Sequence, residues 1–282
     1  MSTLTAAVTA RGPAPVTAPS VAKLTHWLLG GRHHLRADRN LGKQVLRAAP
    51  WFEDAVQINA LYAHQTVAML RASGIRQFVD LGSGLPAANP RFPHTALSAG
   101  PDTTVIHVDC DPAVIEHGPQ FLSGSRSTNH RFMHADLRDT LYILRELPLH
   151  GLDPSRPTGF LCHDVLPWIP DDADARASMK AILDWAPPGS VLSLTHSTAD
   201  LCHDGTAAAA AHCFTAAGLP VRLRTAEEIR DLTQAAARPW HIRSPGIVPV
   251  STYHPARYRT PVPDHHSGSY AAVLIHPEHA HH

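Results

Sequence analysis

From residue 77 onward, short apolar runs alternate with longer stretches of helical periodicity. Strands that alternate with helices in this way predict a mostly parallel, doubly wound α/β sheet. The predicted strands are residues 77–81, 104–109, 130–134, 159–166, 190–196, 247–252 and 270–276. The predicted helices between them are residues 112–122, 141–147, 172–185, 206–217 and 226–237. We therefore expect one Rossmann-like domain over residues 75–277.

The first part of the chain has a helical pattern instead. Ser20 is suited to cap a helix that continues to Leu29, where Gly30-Gly31 ends it. Further helices are predicted over residues 37–49 and 52–73. The expected organisation is a flexible arm over residues 1–18, a helical cap over 19–74, the Rossmann-like domain, and a His-rich tail over 278–282.

The composition limits the classes of partner. The 282 residues include 24 Lys+Arg and 24 Asp+Glu, so no basic surface for nucleic acid is indicated. No apolar run approaches the roughly 20 residues of a membrane-spanning helix. The four cysteines form no C-x-x-C pair, which favours a reducing, cytoplasmic compartment. The 22 histidines leave open a site that depends on pH or on a metal ion.

The first strand runs into a glycine turn, Asp80-Leu81-Gly82-Ser83-Gly84. Glycines let a backbone approach a ligand closely, and the spacing to Ala87 also fits a dinucleotide site. Two details favour S-adenosylmethionine (SAM) over NAD. Asp80 can hold a cationic amino-acid end but would repel a pyrophosphate, and the prolines at 86, 90 and 93 break the helix that would bind one. The alternative is a turn that needs glycine for packing alone.

Acidic residues also end the next two strands. Asp109 lies about 25 residues past the glycines, where a carboxylate can accept both ribose hydroxyls, whereas Asp111 before Pro112 reads as a helix cap. Asp136 can accept from an adenine amino group while the backbone N–H of Leu137 donates to the ring. Because parallel strands present their carboxyl ends to one crevice, Asp80, Asp109 and Asp136 together predict one cofactor site.

At these residues the chain resembles the class I SAM-dependent methyltransferases, and more narrowly the actinobacterial S-adenosyl methyltransferase family, formerly a domain of unknown function. The matching stretches include IRQFVDLGSGLP (75–86), VIHVDCDPAVI (105–115), ADLRD (135–139) and PPGSVLSLTHSTAD (187–200). The resemblance implies a seven-stranded Rossmann-like sheet whose last strand is antiparallel, with an N-terminal helical cap over the active site. It also implies SAM as cofactor and S-adenosylhomocysteine (SAH) as product.

The chain departs from the usual family pattern near the expected site. Family members usually carry Lys-Asp-Asn where this chain has Arg32-His33-His34, and Asp-Tyr where it has Thr25-His26. Cys110 replaces the usual Asn at the ribose edge, and Pro167 replaces a His. These positions fall where the substrate and the methionine end are expected.

Histidine is the natural proton acceptor near neutral pH, so we take His33, His34 and His163 as candidate catalytic bases. His163 occupies the strand that lines the methyl-donor side in SAM folds, so it is also a cofactor-binding candidate, with Cys110 and the glycine turn. The candidate substrate-binding residues are His26, Trp27, Arg32, Tyr62, Trp168 and His196. For each of them, ordinary packing or hydrogen bonding is the alternative. No metal-ligand spacing is present, and no metal site is predicted.

The sequence therefore predicts a SAM-dependent methyltransferase that acts on a small molecule in specialised metabolism. One alternative keeps the fold but not the methylation, as a cyclase or isomerase. Another is a SAM-binding regulatory protein, and a third is an NAD-dependent oxidoreductase. We expect neither a nucleic-acid nor a membrane partner, and we leave a homodimer open.

Overall fold

The computed structural model describes residues 18–86, 89, 100–122, 129–235, 240–253 and 262–277. Its strands are β1 (Gln77–Leu81), β2 (Thr104–Asp109), β3 (His130–His134), β4 (Gly159–His163), β5 (Val191–Ser197), β6 (His241–Ile242), β7 (Val248–Pro249) and β8 (Ser269–Ile275). Its helices are α1 (Val21–Leu28), α2 (Arg36–Ala48), α3 (Phe52–Ala72), α4 (Pro112–Leu122), α5 (Thr140–Glu146), α6 (Asp172–Trp185), α7 (Thr206–Ala216), α8 (Ala226–Thr233) and the single turn α9 (Val250–Tyr253).

The strands form one sheet in the order β3-β2-β1-β4-β5-β8-β6, with β7 also paired to β8. The first five strands of this order are parallel, and β8 runs antiparallel to β5. The strand order reverses between β1 and β4, so the carboxyl ends of β1, β2 and β4 border the crevice in which such sheets bind ligands. The predicted α/β class and the antiparallel last strand are confirmed.

The two faces of the sheet follow from the alternation of side chains along each strand. On one face, here called the α3 face, Phe78, Val105, Leu161 and Val273 pack against Ile58 and Leu70 of α3. The opposite face is covered by α5, α6 and α8. Its core includes Val79, Leu81, Ile106, Val108, Phe160, Leu192 and Leu194 with Met179, Ile182 and Leu232. Both faces are thus buried, as parallel sheets require.

The cap is tied to the sheet at the start of α1. The Ser20 hydroxyl caps α1 by accepting from the Lys23 N–H at 3.2 Å, and it also donates to the carboxylate of Asp111. The Ser20 N–H donates to the fully buried Asp38 at 2.8 Å. A third apolar cluster joins α1 and α2 to α7 through Leu24, Val45 and Phe214. The cap is therefore anchored directly beside the tip of β2.

Two predicted strands end differently in the structure. The predicted strand 159–166 ends at His163, because Asp164 takes the left-handed conformation at φ +56° and a 3₁₀ turn follows at Leu166–Trp168. Of the predicted strand 247–252, only Val248–Pro249 pairs with β8. Proline has no N–H to continue the ladder, and the chain turns into α9.

The described sheet has eight strands rather than seven. The additional strand, β6, is a two-residue segment beside β8 that is too short to leave a pattern in the sequence. Helix α8 ends at Thr233, four residues before its predicted end.

Some expectations fall outside the described residues. These are the arm over residues 1–17, the prolines at 90 and 93, and the tail over 278–282. Within the described ranges, no helix combines the length and the apolar character needed to cross a membrane.

Candidate functional site

The glycine turn follows β1 directly. The N–H groups of Gly82 and Ser83 donate to the Val108 carbonyl at 2.8 and 3.2 Å, which ties the turn to the end of β2. Gly82 and Gly84 both have φ of +64°, a conformation that L side chains rarely adopt. A Cβ on Gly82 would lie 2.6 Å from the Val165 side chain, whereas a Cβ on Gly84 would meet nothing within 4 Å. Gly82 is thus needed for packing, and Gly84 borders open space where a ligand can approach the backbone.

Asp109 connects the glycine turn to the tip of β2. One carboxylate oxygen accepts from the Gly84 N–H and the other from the Asp111 N–H, both at 2.8 Å. Burial raises the pKa of Asp109 to about 6, helped by the nearby charges of Asp111 and Asp80 and opposed by the two backbone N–H donors. The carboxylate therefore has spare accepting capacity and gains from any further donor.

The neighbouring acidic residues divide into different roles. Asp111 caps α4 by accepting from the Ala113 N–H at 2.9 Å, as predicted. Asp136 accepts from the Arg138 N–H at 2.9 Å and pairs with the Arg138 guanidinium, while Leu137 is buried. Partial desolvation of the thiol, together with the negative charges of Asp109, Asp136 and Asp111, raises the pKa of Cys110 to about 12. Cys110 is therefore a neutral thiol among carboxylates.

Behind the turn, Asp80 faces two histidines on the α3 side of the sheet. Asp80 is only 5% exposed, and its Oδ2 lies 3.4 Å from Nδ1 of His107, which is fully buried. The other nitrogen of His107, Nε2, lies 3.2 Å from Nδ1 of His130. Register pairs Asp80 with His107 across β1 and β2, so the contact follows from the sheet itself.

The cap places two imidazoles beside the turn, and α4 adds a third, His117. His26 is buried, and its Nδ1 lies 3.4 Å from the Leu85 carbonyl oxygen. The ring of His33 is 6.0 Å from that of His26 and 4.9 Å from that of His117, and Phe121 packs against both His26 and His33. We call these three histidines and Phe121 the imidazole cluster. Burial lowers the pKa of His26, and the nearby His33 and His34 lower it further.

Two further candidates, His34 and Arg32, lie on the cap loop. His34 Nδ1 lies 2.9 Å from the guanidinium of Arg39, and because arginine only donates, this nitrogen accepts. Arg32 is exposed on the same loop.

His163 lies on the α3 face with Tyr62. Its Nε2 is 2.9 Å from the Ser193 hydroxyl, which is 3.0 Å from the Tyr62 hydroxyl. The Tyr62 ring is 2% exposed and stands edge-on to the His163 ring at 5.4 Å. The structure thus joins these two predicted residues through Ser193, beneath the crevice rather than in the imidazole cluster.

Three other predicted residues lie in packed surroundings. Trp27 packs so closely on α2 that a Cβ on Gly42 would lie 2.5 Å from its ring. Trp168 stands edge-on to Phe214 of α7 at 5.1 Å. His196 is fully buried, and its Nε2 accepts from the buried Arg224 at 3.0 Å. Burial lowers the pKa of His196 to about 3, so it stays neutral.

Sequence reasoning missed His107, His130, His117 and Ser193. A usable signal exists for His107, which lies two residues before Asp109 and therefore shares its face of β2. No comparable signal exists for Ser193 or His117, because their contacts join segments that are far apart in the chain. In the part of the chain that the structure describes, no three His, Cys, Asp or Glu side chains are grouped so as to hold a metal ion.

The sheet order, the antiparallel last strand and the acidic strand tips beside the glycine turn define the class I SAM-dependent methyltransferase fold. The sequence profile of the S-adenosyl methyltransferase family matches residues 10–277. The chain belongs to this family, which confirms the resemblance found in the sequence and SAM as the cofactor of the family.

Solved structures and named proteins agree with this assignment. A protein of Streptomyces avermitilis, described as a DUF574 family protein, is 28% identical, with a TM-score of 0.82 over 92% of this chain and 98% of that chain. A protein of Thermobifida fusca, named provisionally as a methyltransferase, is 26% identical, with a TM-score of 0.80 over 93% and 96% of the two chains. A Mycobacterium tuberculosis protein, named provisionally as a SAM-dependent methyltransferase, is 36% identical over 127 residues. That alignment spans 44% of this chain and 38% of the mycobacterial protein.

Proposed function

We propose that this protein binds SAM at the glycine turn and catalyses transfer of its methyl group to a small molecule of specialised metabolism. The observation that carries the proposal is the Asp109 carboxylate, which is fixed by the Gly84 and Asp111 N–H groups beside the open space at Gly84. A buried carboxylate with spare accepting capacity suits the two hydroxyls of a ribose.

The chemistry of the described residues fits this cofactor. Asp80 is suited to the cationic methionine end, Asp109 to the ribose, and Asp136 with Leu137 to the adenine, with Cys110 at the ribose edge. Ser83 Oγ is buried without a hydrogen-bond partner among the described residues, so the turn retains polar capacity. The Asp80 carboxylate at the end of β1 is unsuited to a pyrophosphate, which disfavours NAD.

We assign binding of the methyl acceptor to the cap and to β4. When bound, SAM supplies an electrophilic methyl group on a sulfonium, and transfer is an in-line displacement that depends on positioning. An oxygen or nitrogen acceptor must also lose a proton. We assign His33 as the leading base because it is exposed within the imidazole cluster, with His34 and His163 as the other candidates. Of the cap residues, we assign His26 and Arg32 as substrate contacts. Four other candidates support the walls of the substrate pocket by packing: Trp27, Tyr62, Trp168 and His196.

Titration calorimetry with SAM, SAH and NAD tests the cofactor. We expect saturable binding of SAM and SAH and none of NAD. Absence of binding by both adenosyl ligands at millimolar concentration would refute the proposal, and binding of NAD alone would indicate an oxidoreductase.

Incubation with methyl-tritiated SAM and pooled low-molecular-weight extracts tests the transfer. We expect label in a small organic product and equivalent formation of SAH. SAM binding without any label transfer would favour the non-methylating alternatives. The His33→Gln variant should bind SAH normally but lose transfer, provided that the acceptor must be deprotonated.

A further inference from the structure

His107 and His130 extend the glycine turn's carboxylate into a three-residue chain across β1, β2 and β3. The Asp80 Oδ2 to His107 Nδ1 distance is 3.4 Å, within ion-pair range but longer than a well-formed hydrogen bond. The His107 Nε2 to His130 Nδ1 distance is 3.2 Å. The His107 ring also stacks on Phe132, with centroids 4.7 Å apart, so its orientation is fixed by packing.

When both imidazoles are neutral, the chain has one favourable arrangement of ring protons. Burial lowers the pKa of His130 to about 4, so His130 is neutral at pH 7 and carries one ring proton. If that proton is on Nδ1, His130 donates to His107 Nε2, and His107 must carry its own proton on Nδ1, toward Asp80. The opposite tautomer of His107 would direct a lone pair at a carboxylate. Both imidazoles therefore direct their N–H groups toward Asp80.

N–H donors of this kind favour the ionised form of the Asp80 carboxyl. It is nearly buried, and its negative charge is close enough to Asp109 to raise the pKa of that carboxyl. Two neighbouring buried carboxylates disfavour each other's ionisation unless donors offset the repulsion. The groups that face the His107 ring include Asp80 on β1 and the His130 and Phe132 rings on β3.

We propose that His107, backed by His130, is a positioning residue that keeps Asp80 ionised and directed at the ammonium group of the cofactor's methionine end. This inference rests on the proposed function, because Asp80 has that role only if SAM binds at the turn. The imidazoles do not touch the cofactor. They act through Asp80, and they affect only ligands that carry the ammonium group.

A pair of ligands separates positioning from a general structural effect. SAH carries the methionine ammonium, whereas 5′-methylthioadenosine has the same adenosine and sulfur without the amino-acid end. The His107→Phe variant keeps the ring that stacks on Phe132 but removes both nitrogens. Because a hydrogen bond to a charged group is stronger than a neutral one but this contact is long, we expect SAH affinity to fall about tenfold by calorimetry. Affinity for 5′-methylthioadenosine should stay unchanged.

Two further variants test whether the effect depends on the N–H donors of the two imidazoles. His130→Phe should produce a smaller loss with the same selectivity for SAH, and His107→Gln, which retains an N–H donor, should recover part of the affinity. Equal losses for both ligands, or no loss for either, would overturn the inference. Absence of binding by the wild-type protein to both ligands would instead refute the proposed function.

A second measurement, on the wild-type protein, tests the inference even if the His107→Phe variant does not fold. Nitrogen-15 NMR of the wild-type imidazoles at pH 7 reports which ring nitrogen of His107 carries the proton. We expect the Nδ1–H tautomer. A neutral His107 protonated on Nε2 would overturn the inference without any substitution.

Discussion

Lowering the pH from 7 to 5 should weaken the binding of 5′-methylthioadenosine through protonation of Asp109. Ribose hydroxyls donate best to an ionised carboxylate, and burial raises the pKa of Asp109 from 3.8 to about 6 in the folded protein. About nine tenths of this carboxyl is then ionised at pH 7 and about one tenth at pH 5. If only the ionised form binds the ribose, the affinity falls about tenfold, or about 1.4 kcal/mol.

The folding stability of the ligand-free protein depends on pH in the opposite direction to ligand binding. A carboxyl with a raised pKa binds its proton more tightly in the folded state, so its ionisation costs the ligand-free protein about 3 kcal/mol at pH 7. This cost is absent below about pH 4 and grows as the pH rises to about 6. Donation by ligand hydroxyls lowers the pKa of Asp109 again. Ligand binding therefore strengthens over the same pH range in which the free protein loses stability.

Calorimetry with 5′-methylthioadenosine at several pH values from 5 to 8 measures the effect without the methionine end and its nearby histidines. The Asp109→Asn variant, which cannot ionise, should bind weakly and show no pH dependence. His134 contacts the Cys110 carbonyl oxygen at 3.1 Å, so His134→Gln is the matched control and should keep the wild-type dependence. Equal wild-type affinity at pH 5 and pH 7 would refute the ribose role of Asp109.

Three further substitutions, the last with a matched control, test other parts of the structure. Asp111→Ala removes the cap of α4 and the link to Ser20, so thermal or denaturant unfolding should show a loss of about 1–2 kcal/mol with little change in 5′-methylthioadenosine affinity. Gly84→Ala places a methyl group in open space at positive φ, and we expect a loss of about 1–2 kcal/mol in stability together with a much larger loss of SAH affinity; unchanged affinity would contradict the cofactor approach at this residue. Arg224→Met removes a buried guanidinium and should destabilise the fold by about 3–5 kcal/mol in chemical denaturation, whereas Arg222→Met, at a half-exposed ion pair, should cost less than about 1 kcal/mol.

Most of the fold was predictable because β1 to β5 and β8 each carry their own signal. The buried run from Gln77 to Leu81 and its glycine turn define β1, and Asp111 before Pro112 marks the start of α4. The end of β4 was not predictable in this way. Asp164 takes a left-handed conformation that its residue type tolerates but does not require, and the surrounding structure decides it.

The sequence predicts which strand ends border the candidate site, but it does not predict which side chains contact one another there. Asp109 follows from its place at a strand tip, whereas the contact of His163 with Ser193 and Tyr62 joins β4, β5 and α3. Such contacts depend on which strands become neighbours, and a single sequence does not state the order of the strands. The same limit applies to His196, whose strand position resembles that of a site residue although its partner, Arg224, belongs to a distant segment.

The two faces of the same strands differ in polarity near the proposed cofactor site. On the face opposite α3, β1, β2 and β4 stay apolar to their ends, as at Val79, Leu81, Ile106, Val108 and Phe160. On the α3 face, the alternate positions change from apolar to polar toward the carboxyl ends, at Asp80, His107, Asp109, His163 and Ser193. Buried polar side chains are costly without partners, so a row of them on one face must be held by each other or by a ligand. The polar ends of β1 and β2 on the α3 face therefore agree with the proposed cofactor site, whereas the apolar positions of the opposite face pack against α5, α6 and α8.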